Sequence, residues 1–140
     1  MNGYQTSIEI DCPGAKVFYA ISRDINAWWG KQDQAINEVG ITFTVSWGVP
    51  WYKFEVEEFI PNEGMIWKCI DANQVIEGLD NVQKEWVGTR IIWRLEQIAP
   101  NRTLLRFTHE GLVPEFICFD FCTKTWEHFL HRSLIEYCTR

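Results

Sequence analysis

The chain has 140 residues and a formal net charge of −6, and 46% of its residues are hydrophobic. An acidic chain is poorly suited to nucleic acid, no stretch approaches the roughly 20 apolar residues of a membrane span, and the start MNGYQTSIEID lacks the features of a secretory signal. We therefore expect one cytoplasmic domain over residues 1–140 that does not bind nucleic acid and has no membrane span.

The first part of the chain predicts a strand, two short helices and then strands. Residues 4–10 alternate as a half-buried strand, and Pro13 suits the first turn of the helix that follows. The stretch INAWWGK is typical of a second short helical turn that ends at Gly30. From residues 41–47 onward the hydrophobic period changes to two, which indicates strands.

Alternation continues through most of the second part of the chain. Residues 52–56, 65–70, 85–95 and 103–110 each read as one strand of an antiparallel series. The stretch Asn73–Lys84 has no clean period, and its length makes it a candidate gate. We therefore expect about five strands after the two short helices.

The end of the chain predicts one long amphipathic helix. From Phe119 to Tyr137 apolar residues recur at three- and four-residue steps, which corresponds to about 20 residues of helix. Strands linked by hairpins form a sheet with one face to cover, and the helix supplies that cover. The predicted fold class is α+β, with a strongly curved antiparallel sheet wrapped around the C-terminal helix and an internal cavity between them.

Several stretches together resemble a known superfamily. In chain order they are SIEIDCPGAKVFYAIS, the pair WW, VGITFTV, FEVEEFIPNEGMIWK, GTRIIWRLE, RTLLRFTHEGL and TWEHFLHRSLIEYC. Their order and spacing resemble the START-like (SRPBCC, helix-grip) superfamily, and within it the single-domain homologues of the heat-shock-chaperone ATPase activator (AHSA-type) family. The resemblance implies a helix-grip fold with a cavity for small hydrophobic ligands. It implies no single activity, because members bind lipids or hormones or cyclise polyketides, and chaperone activation belongs to longer, two-domain relatives.

One histidine lies on the predicted core side of the last strand. Alternation places His109 in line with Leu105 and Phe107. Three interpretations remain open: a core histidine bonded to a backbone carbonyl or a water, a polar anchor for a ligand, and a catalytic base. Burial favours the neutral ring in each of them. Glu110 points to the opposite face, so it does not supply the carboxylate that would orient a catalytic imidazole.

The chain is unusually rich in aromatic residues, with eight tryptophans among its 140 residues. Flat rings are hard to close-pack in a small curved sheet, so we expect some of them to line a cavity. Trp28 and Trp29 are predicted to seal one end of the barrel. The predicted ligand-binding residues are His109, Trp67, Trp93, Trp126, Phe54, Phe107, Phe43 and Phe119, and Tyr52 belongs to the same aromatic set.

The sequence predicts no metal site and no cofactor. Cys118, Cys122, His128 and His131 resemble a zinc pattern, but at about 100° per residue the histidines lie far around the helix from the cysteines. No phosphate loop or nucleophile motif is present. The five cysteines match no disulfide framework, and we expect Cys69 and the two helix cysteines to act as small apolar fillers.

Three functions remain open from the sequence. The first is binding of a small hydrophobic or amphipathic molecule between the sheet and the C-terminal helix, with its polar end at His109. The second is an enzyme of the cyclase or dehydratase type that uses His109 as acid or base. The third is a protein-interaction module of the co-chaperone kind. A homodimer through an edge strand or Ile92 is also possible.

Overall fold

A computed structural model describes residues 2–140, and it has one antiparallel sheet of seven strands. The bounds of the strands are Gly3–Ile10 (β1), Lys31–Gln32 (β2), Thr42–Ser46 (β3), Trp51–Ile60 (β4), Gly64–Asn73 (β5), Arg90–Ala99 (β6) and Arg102–Glu110 (β7). They are hydrogen-bonded in the order β1-β7-β6-β5-β4-β3-β2, so strands β2 to β7 pair in chain order and β1 pairs with β7.

The helices lie at the two ends of the chain, as the sequence predicts. Helix α1 covers Gly14–Arg23 with Pro13 at its N-cap, and a 3-10 turn follows at Ile25–Ala27. The C-terminal helix runs as α2 (Phe119–His128), a π-helical stretch (Phe129–Leu134) and α3 (Ile135–Cys138). Thr6 of β1 contacts it through a 2.8 Å hydrogen bond to His131.

The sheet curls because the β4–β5 pair carries two bulges. The register shifts between Lys53 and Phe54 and again between Val56 and Glu58. An unpaired extra residue bends its strand and increases the local twist. After the first shift Ile70 faces outward, 37% exposed, while Cys69 and Ala72 both stay buried. The curl turns the inner face of the sheet toward the C-terminal helix, which confirms the predicted α+β helix-grip fold.

Aromatic rings fill the inner face of the curled sheet. Phe43, Phe54, Trp67, Trp93 and Phe107 are each at most 1% exposed, and neighbouring rings lie 4.9 to 5.4 Å apart between centroids. Such packing resembles the close-packed interior of a crystal of small molecules. The space directly between the inner face and the helix is therefore occupied by side chains, and the predicted internal cavity between them is not confirmed.

The prediction of a strand over residues 85–95 is wrong in its first part. Residues 74–89, which we call the crossing segment, are irregular, and β6 begins at Arg90. Gly88 has φ +92°, a left-handed conformation far from the extended backbone of a regular strand. Val87 is 42% exposed and Trp86 is buried, so this apparent alternation belongs to a turn. The two-residue strand β2 and the π-helical stretch were also not predicted, because neither leaves a periodic signal.

Within residues 2–140, no helix combines the length and the apolar character needed to cross a bilayer.

Candidate functional site

A pocket opens where the crossing segment meets the C-terminal helix. Its volume is about 240 Å³. It lies beside the inner face of the sheet, between the start of β4, the turn before β2, and helix α2. The residues that line it are Trp29, Trp47, Pro50, Tyr52, Val75, Ile76, Trp86, Phe121, Thr125, Trp126 and Phe129.

Stacked rings form the inner wall of this pocket. Tyr52 and Trp86 stack at 3.9 Å between centroids, and Trp86 stacks on Trp126 at 5.8 Å. Trp29 lies 5.0 Å from Trp126 on the other side. All four are at most 9% exposed, whereas Phe121 at the mouth is 47% exposed. The pocket therefore has a rigid aromatic floor and an apolar rim.

The crossing segment, which contains most of the predicted gate Asn73–Lys84, is tied to helix α2 by a carboxylate. Glu85 accepts hydrogen bonds from the backbone N–H groups of Ile117 and Cys118, at 2.7 and 2.9 Å. These N–H groups have no acceptor within the helix, and the positive end of the helix dipole favours the negative charge. Lys84 adds an ion pair with Asp71. Glu85 thus fixes one wall of the pocket to another.

We expect Glu85→Ala to lower the free energy of unfolding by about 1–2 kcal/mol, because a helix cap is lost with its charge. Glu77→Ala is the matched control, since Glu77 is an exposed carboxylate of the same segment without such bonds. Urea denaturation of both variants checks the prediction. An equal loss in the two variants would contradict the capping role.

His109 is fully buried and bonded at both ring nitrogens. The indole N–H of Trp126 donates to Nδ1 at 3.1 Å. An indole nitrogen can only donate, so the ring carries its proton on Nε2 and donates it to Thr89 Oγ1 at 2.9 Å. The Thr89 hydroxyl in turn donates to the Trp86 carbonyl at 2.6 Å. This directed chain of hydrogen bonds fixes both Trp86 and Trp126.

The environment of His109 favours a neutral ring. Burial lowers its pKa from 6.5 to about 3, because nothing around the ring compensates for the lost hydration of a cation. Its aromatic neighbours are Trp86 and Trp126, with centroids at 4.5 and 6.0 Å. The ring therefore acts as a hydrogen-bond relay between the two tryptophans at neutral pH.

The eight predicted ligand-binding residues lie in four different positions. Of these eight residues, Trp126 is the one that lines the pocket. His109 lies one layer behind it, and Phe119 is half-buried on α2 away from the lining. The other five form the core described above: Phe43, Phe54, Trp67, Trp93 and Phe107. Trp28 and Trp29 are both buried, and Trp29 reaches the pocket while Trp28 packs against Trp93.

Several lining residues were missed in the sequence. Phe121, Thr125 and Phe129 recur every four residues, so they share one face of the C-terminal helix beside the apolar stripe. Their four-residue spacing was a signal in the sequence from which this lining face could have been predicted. Trp86 and Val75 lie in the crossing segment, where no period predicts which way a side chain points.

The four residues of the zinc-like pattern do not come together. Cys118 and Cys122 are adjacent, with their sulfur atoms 2.8 Å apart, while His131 contacts β1. Over the described part of the chain, no three Cys, His, Asp or Glu side chains converge as metal ligands.

Comparisons with known proteins agree with this architecture. No family model matches the chain, and no curated protein sequence does either. The solved structure of the Aha1 dimer from Colwellia psychrerythraea is similar, with a TM-score of 0.79, 26% identity, and coverage of 99% of this chain and 96% of that one. An HSP90 activator from Plasmodium falciparum has a TM-score of 0.67 at 16% identity, covering 94% and 92%.

A third structure extends the comparison to a larger protein. DynU16, from the dynemicin biosynthetic locus, has a TM-score of 0.74 at 16% identity. The match covers 98% of this chain but 47% of DynU16, so the chain spans about half of that protein. The likeness in fold extends over nearly the whole chain in all three cases. The resemblance found in the sequence is therefore confirmed: the chain is a START-like, helix-grip protein with structural relatives of the Aha1 type.

Proposed function

We propose that this protein binds a small apolar or amphipathic molecule in the pocket beside Trp126. The observation that carries the proposal is the lining itself, in which seven of eleven side chains are aromatic. Concave, largely apolar sites with a few polar groups are the usual form of small-molecule sites. The helix-grip fold is consistent with such a role.

The size of the pocket limits the ligand. Pockets for drug-sized ligands measure roughly 300–1,000 Å³. At about 240 Å³, this one suits one or two fused rings better than a long acyl chain. The stacked floor of Tyr52, Trp86 and Trp126 favours a flat molecule, since offset rings attract each other.

Two of the side chains that line the pocket carry a hydroxyl group. Tyr52 donates its hydroxyl proton to Gln74 Oε1 at 2.6 Å, and Thr125 donates to the Cys122 carbonyl at 2.9 Å. Both side chains line the pocket, and each oxygen keeps a lone pair with which to accept a bond. The proposed ligand is therefore a flat molecule that carries a hydroxyl or an N–H donor.

His109 and the core rings support this site from behind. We propose that His109 holds Trp86 and Trp126 in position rather than contacting the ligand, since both its nitrogens are used within the protein. Direct anchoring by His109 stays a prediction, and it requires Trp126 to move. Phe43, Phe54, Trp67, Trp93 and Phe107 act as the rigid layer behind the floor.

The same hydrogen bonds disfavour a catalytic role of His109 as a general acid or base. A general base needs a free nitrogen within reach of the substrate and a pKa near the working pH. His109 has neither at neutral pH. His109→Gln separates the alternatives, because catalysis would fall by at least about a hundredfold, whereas a supporting role costs about 1–2 kcal/mol of affinity.

The first test is native mass spectrometry of freshly purified protein, which detects a co-purifying small molecule. The second is titration with 2-naphthol, a two-ring molecule with one hydroxyl donor, followed by amide chemical shifts. We expect shifts to concentrate at the crossing segment and helix α2. A protein that arrives empty and leaves 2-naphthol unbound at millimolar concentration would favour the protein-interaction hypothesis instead.

A pair of exposed aromatic residues gives a matched control for the titration. Phe121 at the mouth of the pocket is 47% exposed, and Tyr19 on helix α1 is 51% exposed. We expect Phe121→Ala to weaken 2-naphthol binding about fivefold, since roughly 1 kcal/mol of apolar contact is lost. Tyr19→Ala leaves affinity unchanged. Equal effects of the two substitutions would place the bound molecule elsewhere.

A homodimer stays a prediction for this chain. The Aha1 protein from Colwellia psychrerythraea was solved as a dimer, and here the outer strands β1 and β2 both end the sheet. Light scattering over a range of concentrations decides the oligomeric state.

A further inference from the structure

Two thiols meet in the first turn of helix α2, one layer from the pocket. Cys118 is the N-cap residue of that helix and Cys122 follows one turn later. Their sulfur atoms lie 2.8 Å apart, and both side chains are at most 1% exposed. Cys69, by contrast, is a single buried cysteine whose thiol donates to the Asp71 carbonyl. The two helix cysteines are therefore buried, as fillers would be, and their thiols are also in direct contact.

The two cysteines contact side chains that hold the crossing segment in place. The Trp86 indole N–H donates to Cys122 Sγ at 3.3 Å, and Gln74 Oε1 lies 3.4 Å from the same sulfur. Tyr52, which lines the pocket, bonds to that same Gln74 oxygen. The chemical state of Cys122 is thus connected by direct contacts to the floor of the pocket.

The two thiols have different chemistry. A hydrogen bond donated by the Cys122 thiol lowers the pKa of Cys118, and the same bond together with burial raises the pKa of Cys122. The N-terminus of a helix also favours a thiolate, whereas burial and the Glu85 carboxylate bound there act in the opposite direction. The direction of these shifts favours Cys118 as the nucleophile of the pair and Cys122 as the resolving thiol.

We propose that Cys118 and Cys122 form a reversible disulfide on exposure to hydrogen peroxide, and that this disulfide loosens the crossing segment. The Cys118 thiolate attacks one peroxide oxygen, the O–O bond breaks, and hydroxide leaves to become water. The resulting sulfenic acid is attacked by Cys122 Sγ, which forms the S–S bond and releases a second water that takes the Cys122 proton. Two thiols lose two electrons, and one peroxide is reduced to two waters.

The helix has to adjust slightly for this bond. Residues four apart in a helix have Cβ atoms roughly 5–6 Å apart, whereas a disulfide prefers about 3.5–4.5 Å. Cys118 has φ −82° and ψ 0°, outside regular helix, so the first turn can tighten there. A disulfide formed with strain is easily reduced, which makes it reversible. The disulfide also consumes the Cys122 thiol proton, so we expect the contacts of this sulfur with Gln74 and Trp86 to weaken and the crossing segment to loosen.

Tryptic peptides provide a clean assay. Cleavage after Arg106 and Lys124 gives peptide 107–124, which contains both helix cysteines and no other. Peptide 69–84 contains Cys69 alone and serves as an internal control. After stoichiometric peroxide and alkylation of the full protein, we expect peptide 107–124 to be unalkylated and lighter by two hydrogen atoms, and dithiothreitol to restore both alkylation sites.

The variants and a second readout complete the test. Cys118→Ser abolishes the change in peptide 107–124, whereas Cys69→Ser leaves it intact. We expect amide hydrogen exchange in residues 75–88 to become about fivefold faster on oxidation of the wild type. Alkylation of both thiols after peroxide overturns the proposal, and so does an unchanged exchange rate in the disulfide form.

An effect on the pocket rests on the proposed function and is measured separately. We expect the oxidised protein to bind 2-naphthol about threefold or more weakly than the reduced one, since Trp86 loses a contact that holds it. Equal affinity in the two forms overturns the effect on the pocket. If the reduced protein does not bind 2-naphthol, the proposed function is overturned instead. The peptide masses and the hydrogen-exchange rates still decide whether the disulfide forms and whether it loosens the crossing segment.

Discussion

Replacing Trp126 with alanine is expected to lower the free energy of unfolding by about 4 kcal/mol, because truncating a buried tryptophan removes its contacts and leaves a cavity. Trp126 is 1% exposed and its ring lies against Trp29, Trp86 and Phe107. Its indole N–H is also the donor that satisfies His109 Nδ1. The substitution therefore affects the pocket floor and the buried polar chain together.

A second variant separates the two contributions. Trp126→Phe keeps an aromatic ring but removes the N–H donor, which leaves His109 Nδ1 buried without a partner. We expect a loss of about 1–3 kcal/mol from that change. Urea denaturation with fitted m-values measures each loss and shows whether the unfolded state has changed.

Phe121→Ala is the control for this series. Phe121 lines the same pocket, yet it is 47% exposed and takes no part in the His109 chain. We expect it to change stability by about 0.5 kcal/mol. Loss of stability in Phe121→Ala equal to that in Trp126→Ala would contradict the view that the floor is structural and the rim is not.

The sequence predicts the fold well because alternation and helical periodicity report which face is buried. Residues 103–110 are an example: each residue assigned to the core side, His109 included, is buried. The same rule places Met65, Trp67 and Cys69 on the inner face of β5. Burial of a whole face is a property of one strand, so one strand is enough to predict it.

The pocket was harder to predict, because it depends on how separate elements meet. Trp86 is the clearest case, since alternation assigns residue 86 to the outer face while the turn at Gly88 directs its ring inward. The partners of His109 were equally hidden. Trp126 lies 17 residues away in the chain and Thr89 lies 20 away, and no local pattern connects them. Contacts of this kind follow from the tertiary structure alone.

The burial of His109 has a consequence for acid stability. Its pKa is about 3 in the folded protein and near 6.5 in an unfolded chain. Above pH 6.5 both states hold a neutral ring, so this group leaves stability unchanged there. As the pH falls from 6.5 toward 3, the unfolded chain binds a proton that the folded chain does not, and the free energy of unfolding decreases.

The expected slope is about 1.4 kcal/mol per pH unit, which amounts to roughly 3 kcal/mol lost from this residue between pH 7 and pH 4.5. Carboxylates also titrate in this range, so the comparison needs a variant that lacks only the buried imidazole. His109→Gln retains a donor and an acceptor and does not titrate. Its stability at pH 7 is expected to be lower than that of the wild type, since the geometry of the bonds to Trp126 and Thr89 is imperfect.

The difference between the two proteins is the quantity to measure. Guanidinium denaturation at pH 7.0, 6.0, 5.0 and 4.5 gives the free energy of unfolding of each. We expect the advantage of the wild type to shrink steadily below pH 6.5 and to reverse before pH 4.5, because only the wild type carries the proton penalty. His128 and His131 are present in both proteins and cancel in the difference. Parallel pH profiles would mean that the His109 ring accepts a proton within the folded protein, and its role as a neutral relay between Trp86 and Trp126 would then be wrong.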